Sequence, residues 1–174
     1  MKKLSIAIIW MLILAVPGQA QHTLSLDLGT IHNIHKPING LNLSGFYYFN
    51  PQLSAGMEVN RFFPVNRHSA EEGLEISAWD IELNVHYLFS VYKKLNLYPI
   101  TGISHTVDRE LISAKGLSHY ESFWSLNTGA GISWEFKNWS PHIEYSFAWG
   151  QQNQQFLLAG VSYEIEWRHE HKDR

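Results

Sequence analysis

Residues 76–90 read ISAWDIELNVHYLFS. Trp79, Ile81, Leu83, Val85, Tyr87 and Phe89 share one parity, and Asp80, Glu82, Asn84 and His86 share the other. Strict alternation predicts a β-strand with one apolar and one polar face. The pattern recurs and predicts eight strands, near 23–31, 41–50, 53–63, 77–90, 95–106, 121–136, 139–149 and 155–167. Leu24, Leu26 and Leu28 oppose Ser25 and Asp27 in the first. Trp124, Leu126, Ile132 and Trp134 oppose Ser125, Asn127, Gly131 and Ser133 in the sixth. No stretch of helical periodicity of useful length interrupts them.

The connections alternate in length. Asn50-Pro51-Gln52, the corner Val91-Tyr92-Lys93-Lys94 and Lys137-Asn138 are short, whereas polar stretches near 32–40, 64–76 and 107–120 read as long loops, with a smaller one at 150–154. Consecutive hairpins then place all short turns at one end of an up-and-down barrel and all long loops at the other, the habit of bacterial outer-membrane barrels. Which face points inward follows from volume. Eight strands enclose a space only just filled by side chains. The apolar parity carries most of the Trp residues and would not fit there, while the Gly, Ser and Asn of the polar parity would.

The aromatics also group by position. Tyr47, Phe49, Tyr87, Phe89, Trp134, Phe136, Trp139 and Trp167 fall at strand ends beside short turns or the C-terminus. Phe63, Trp79, Trp124 and Trp149 fall beside long loops, and Leu43, Met57, Leu83, Leu126 and Ile143 lie between. Two aromatic girdles around an aliphatic band match the two interfaces of a bilayer. The expected fold is therefore all-β, an eight-stranded antiparallel up-and-down transmembrane β-barrel with its apolar face towards lipid. On this reading Leu83 resists substitution by a charge, whereas Asn84, its lumen neighbour, tolerates Ser.

Composition adds the compartment. Lys2 and Lys3 precede the uncharged apolar run Leu4–Val16, and Pro17-Gly18-Gln19-Ala20 ends in small residues. This reads as a signal peptide cut after Ala20, with Sec-type export to follow. The expected organisation is a signal peptide at 1–20, a barrel at 21–167 and a charged periplasmic tail at 168–174. Loss of Lys2 and Lys3 takes the formal charge from −3 to about −5. No basic run or stripe accompanies it, so nucleic acid is not an expected partner. The chain has no Cys, which removes disulfides and lipoprotein anchoring.

The segments LNLYPITGIS (95–104), LNTGAGISWEF (126–136) and LAGVSYEIEW (158–167) resemble the small outer-membrane β-barrel proteins of Gram-negative bacteria. They are most similar to the porin-family proteins common in Bacteroidetes, with OmpX- and OmpW-like architecture. Gly160, Tyr163, Ile165 and Trp167 match in spacing the insertion signal that such proteins carry on their last strand. The tail Arg168–Arg174 departs from it, since family members often stop at the aromatic. The resemblance implies residence in the outer membrane, contact with its lipid and lipopolysaccharide, insertion by the barrel-assembly machinery, and an extracellular ligand it does not name.

Candidate chemistry is concentrated on the lumen parity. Glu58, Asp80, Glu82, His86, Glu135, His142, Glu144 and Glu164 form an acidic cluster there, joined by Asp27 and Glu166, with no clear basic partner. Carboxylates crowded into a narrow interior require compensation. The bland account is a hydrated polar plug, and the sharper one is a narrow cation-selective channel. Should ion-pairing partners enter from the loops, Arg61, Arg67 and Arg109 are the first suspects. His32, His35, His68, His105 and His119 gather near the long-loop end without the spacing of a metal motif, so no metal or other cofactor is expected. A lipid A-modifying enzyme would need Ser104-His105 or Ser118-His119 with Asp108, Glu110 or Glu121 at the rim. Adjacent strand residues face opposite ways, which disfavours both pairs. The function expected is a non-catalytic integral outer-membrane protein with a structural or surface-interaction role and a plugged lumen.

Overall fold

In a computed structural model, which describes residues 22–69, 72–112 and 117–167, the chain is a closed antiparallel β-barrel of eight strands. The stretch read as a signal peptide and the one read as a charged tail, at 1–20 and 168–174, lie outside the described residues, as do the side chains of Arg67, His68 and Trp167. The strands are β1 (His22–Asn33), β2 (Ile38–Tyr48), β3 (Leu53–Ser69), β4 (Glu72–Tyr87), β5 (Phe89–Tyr92), β6 (Leu95–Ile112), β7 (Leu117–Trp134), β8 (Trp139–Gly150) and β9 (Gln154–Trp167). β4 and β5 are one barrel strand broken at Leu88, and both pair with β6. Each strand pairs with its sequence neighbours, and β1 pairs with β9 along His22–Asn33 to close the cylinder. Closure leaves no open edge within the wall, the condition for a sheet to stand in hydrocarbon.

The short turns have local causes. Asn50 Oδ1 accepts the backbone N–H groups of Gln52 (2.9 Å) and Leu53 (2.8 Å), folding the chain around Pro51. Lys93 takes positive φ in the two-residue turn that joins β5 to β6, and Lys137 does so in the turn Lys137-Asn138, closed by the Phe136–Trp139 bridge between β7 and β8, the left-handed geometry such hairpin turns require.

Two of the long loops read from the sequence are strands instead. Residues 64–76 continue β3 and β4 as a paired hairpin to Ser69 and Glu72, across a register shift between Phe62 and Val65. Residues 107–120 likewise continue β6 and β7 to Ile112 and Leu117. Above a membrane both sheet faces meet water, so alternation fades while backbone pairing persists. Pro64 sits in the register shift, where a residue without an N–H is tolerated. The stretch 32–40 narrows to the turn 34–37.

The wall is apolar outside. Leu28 is 64% and Leu43 62% exposed, and Met57, Leu83, Leu126 and Ile143 are exposed beside them. Phe49, Tyr87, Phe89, Trp134, Phe136 and Trp139 ring the short-turn end; Phe63, Trp79, Trp124 and Trp149 ring the other. Tyr47 is half-buried against Phe49, with ring centroids 5.2 Å apart. An apolar exterior over a polar interior is stable only with hydrocarbon as the surrounding solvent.

Candidate functional site: the closed lumen

The interior is layered. At the long-hairpin end an apolar cap fills it: Ile31, Ile38, Phe62, Ala78, Phe156 and Leu158 are buried together, and Phe62 stacks on Phe156 at 5.8 Å. Towards the short turns Phe46, His86 and Tyr98 stack, with centroids 4.2 and 5.1 Å apart. Their room comes from glycine: a Cβ on Gly56 would strike the Phe46 ring, and one on Gly131 the Tyr98 ring.

Between these layers lie the carboxyl groups. Glu58, Asp80 and Glu82 are each 5% exposed or less, and Glu58 stands directly opposite Glu82 in the β3–β4 ladder. Facing acids on neighbouring strands repel. Asparagine offsets this. Asn84 Nδ2 donates to Glu58 Oε1 (2.7 Å) and Glu82 Oε2 (2.9 Å). Asn42 Nδ2 donates to Glu58 Oε2 (3.1 Å), Asn60 Nδ2 to Glu82 Oε1 (2.8 Å) and Asn127 Nδ2 to Glu82 Oε2 (2.6 Å). Asn42 also donates to Asn60 Oδ1, Ser104 to Asn127 Oδ1 and Asn127 to Asn84 Oδ1, so Asn60, Asn84 and Asn127 use both ends of their amides. Thr106 donates to Asp80 Oδ1 at 3.0 Å.

The other acids have partners of their own. Tyr98 donates its hydroxyl to Glu144 (2.7 Å). Ser25 and Ser44 donate to Asp27 at 3.0 and 3.1 Å. His142 is buried and its Nδ1 lies 3.2 Å from the Ser162 hydroxyl. Glu164 is half-buried at the short-turn mouth, a recess of about 280 Å³ that it shares with Glu135, Glu166 and Tyr48. Glu135 requires correction: β7 ends at Trp134, and Glu135 is exposed at that mouth rather than within the inner cluster.

Sequence reasoning missed the asparagines, although Glu58-x-Asn60 and Glu82-x-Asn84 place acid and amide two residues apart on one face. It also missed the cation. Lys36, from the β1–β2 turn, forms an ion pair with buried Asp108. Arg61 and Arg109 take no part, since both lie on the outer wall, over the rings of Trp79 and Tyr120.

The plug leaves little space. One void of about 30 Å³ lies among Asp27, Glu144, Tyr98 and His142, and another of about 10 Å³ among Glu58, Glu82, Asn84 and Glu144. A water needs roughly 10–15 Å³ by this measure, so neither void is a channel. The rim does not assemble an active site from the residues considered. Ser104 points inward to Asn127, while His105 packs outside on Trp124 at 4.7 Å. Ser118 and His119 are exposed and adjacent on β7, and Glu121 accepts from Gln152. His32 is bonded to Asn39 (2.7 Å) and His35 is exposed. Among the described residues no three His, Cys, Asp or Glu side chains converge as a metal would need.

A closed eight-stranded barrel with an apolar wall, two girdles and a packed polar lumen has the fold of the small outer-membrane barrels. No protein-family model matches the chain, and no curated protein does. Solved structures do. The N-terminal β-barrel domain of Pseudomonas aeruginosa OprF superposes with a TM-score of 0.68 at 15% identity, over 84% of this chain and 100% of that one. Ail, the attachment invasion locus protein of Yersinia pestis, in complex with the heparin analogue sucrose octasulfate, gives 0.63 at 17%, over 84% and 100%. OprG of Pseudomonas aeruginosa gives 0.59 at 12%, over 85% and 97%. Identities this low carry the architecture alone.

Proposed function

We propose that the chain is a non-catalytic integral protein of a Gram-negative outer membrane, embedded among its lipid and lipopolysaccharide after delivery by the barrel-assembly machinery. Its working surface is the sheet that rises beyond the outer girdle. One observation carries this reading. β3, β4, β6 and β7 stay paired well past the rim, whereas β2 leaves β3 at Phe62 and β8 leaves β7 at Ser125. Phe63–Ser69 and Leu117–Trp124 are thereby open edges, each with a row of backbone donors and acceptors facing outward. Open edges pair with extended segments of other chains, so the sheet suits contact with a macromolecule. The polyanion held by Ail fits such a surface role. The packed lumen argues against the narrow channel, and the opposed directions of Ser104 and His105 argue against the lipid A-modifying enzyme.

The test is placement followed by loss. In intact cells, a cysteine at Ser118 should react with a membrane-impermeant maleimide, and one at Gln52 only after lysis. Removing 64–76 and 108–121 should leave a folded barrel but abolish whatever cell attachment the full chain confers. Labelling of Gln52→Cys in intact cells, or undiminished attachment by the shortened protein, would overturn the proposal.

A further inference from the structure

We propose that the short-turn rim carries, on one sector only, a site for an anionic glycerophospholipid of the inner leaflet, its phosphate met by Lys93, Lys94 and Lys137. The inference rests on the placement of the short turns towards the periplasm proposed above. Of the four lysines among the described residues, these three lie on two neighbouring turns. The turns are tied together, because the Glu135 N–H donates to the Lys94 carbonyl at 2.9 Å. Lys93 Nζ lies 5.1 Å from the exposed Tyr92 ring and Lys94 Nζ 5.8 Å from the exposed Phe136 ring. Lys137 follows Phe136 and is exposed. None of the three is in an ion pair among the described residues. An ammonium held over an aromatic ring at a membrane interface keeps its charge at the headgroup level while its stem covers apolar surface.

Two further features point to a lipid rather than a soluble anion. The first is how charge is divided across the rim. Glu135, Glu164 and Glu166 line the recess inside the mouth, whereas Lys93 and Lys94 lie over rings of the exposed outer wall. An anion arriving from water along the barrel axis meets carboxylates first. A phosphate moving within the leaflet, along the wall, meets the lysines. The second is the apolar surface behind them. Three residues into the wall from Lys94, Leu97 pairs with Ile132, which pairs with Ile143, and all three are exposed. That row gives acyl chains a continuous apolar bed across β6, β7 and β8. The turn Asn50-Pro51-Gln52 has no cation, so the contact is confined to the β5–β8 sector. A zwitterionic phosphatidylethanolamine brings its own ammonium, which offsets the attraction; a net negative headgroup does not.

The experiment uses the refolded barrel in nanodiscs of mixed phosphatidylethanolamine and phosphatidylglycerol, with glycerol 3-phosphate as soluble competitor, read by native mass spectrometry. Wild type should retain phosphatidylglycerol about tenfold better than phosphatidylethanolamine, as expected for clustered lysines at an anionic leaflet. The triple variant Lys93→Gln, Lys94→Gln, Lys137→Gln should lose most of that preference, and the triple change to Arg should keep it. Gel mobility before and after boiling checks each variant's fold. Unchanged preference in a folded triple Gln variant would overturn the site. An equal loss in Arg61→Gln, Arg109→Gln, at the other end of the barrel, would assign the effect to overall charge and overturn it too. Equal competition by glycerol 3-phosphate would overturn the lipid as the ligand. Labelling of Gln52→Cys in intact cells, with the preference intact, would overturn the inner-leaflet assignment alone. Failure of wild type to insert at all would instead sink the membrane reading beneath it.

Discussion

Asn84 is the bridge between two facing glutamates, and its replacement tests the account of the lumen most directly. Asn84→Leu keeps the side chain's branched skeleton, at a somewhat larger volume, and removes its donor and acceptor. Glu58 Oε1 then loses its Asn84 donor (2.7 Å), while Glu82 Oε2 keeps Asn127 at 2.6 Å after losing the 2.9 Å bond. An acceptor left buried and unsatisfied costs about 1–3 kcal/mol, and a second lost bond adds about 1. The expected loss is therefore about 2–4 kcal/mol. Water cannot easily replace the amide, because the neighbouring void measures only about 10 Å³. Asn84→Ser differs here: the shorter side chain vacates room for a water with polar partners on both sides, and the cost should fall to about 1 kcal/mol. Tolerance of Ser at this position would therefore rest on a bridging water, which the alternation pattern does not show, and it does not extend to Leu. Urea unfolding of the barrel in lipid vesicles, followed by tryptophan fluorescence and gel mobility, measures both. A Leu variant within 0.5 kcal/mol of wild type, or a Ser variant less stable than the Leu one, would refute the bridging role.

Folded protein in detergent should migrate differently on a gel before and after boiling, because a closed sheet resists partial opening; identical mobility would count against closure. Leu83→Arg, at an exposed mid-wall position, should cost about 2–4 kcal/mol in the same urea assay, and a neutral result would mean that this face does not meet hydrocarbon. In a planar bilayer the protein should show no stable wide-pore conductance, whereas a cation-selective current abolished by Glu82→Gln or Glu144→Gln would establish a path through the plug. Gly131→Leu should drive Tyr98 out of place and break its hydrogen bond to Glu144, giving a loss of about 1–3 kcal/mol; full stability would show that the interior has slack the packing denies.

Period-two alternation was enough to read the strands of the wall, the direction each face points and the two girdles. These are properties of one strand at a time, set by the pleat and by the volume of an eight-stranded interior. Trp79 to Phe89 and Asp80 to His86 needed no partner strand to be sorted. What only closure decided is which polar groups meet. Asn127 reaches Glu82 across 45 residues of sequence, and Lys36 reaches Asp108 across 72, contacts that exist because β4, β6 and β7 lie side by side and the β1–β2 turn folds over the rim. The extended hairpins were likewise illegible, since above the membrane both faces are wet and pairing leaves no apolar period to read. Arg61 and Arg109, suspected as partners for the lumen acids, face the other way, because parity sets the side of the wall whatever charge waits behind it.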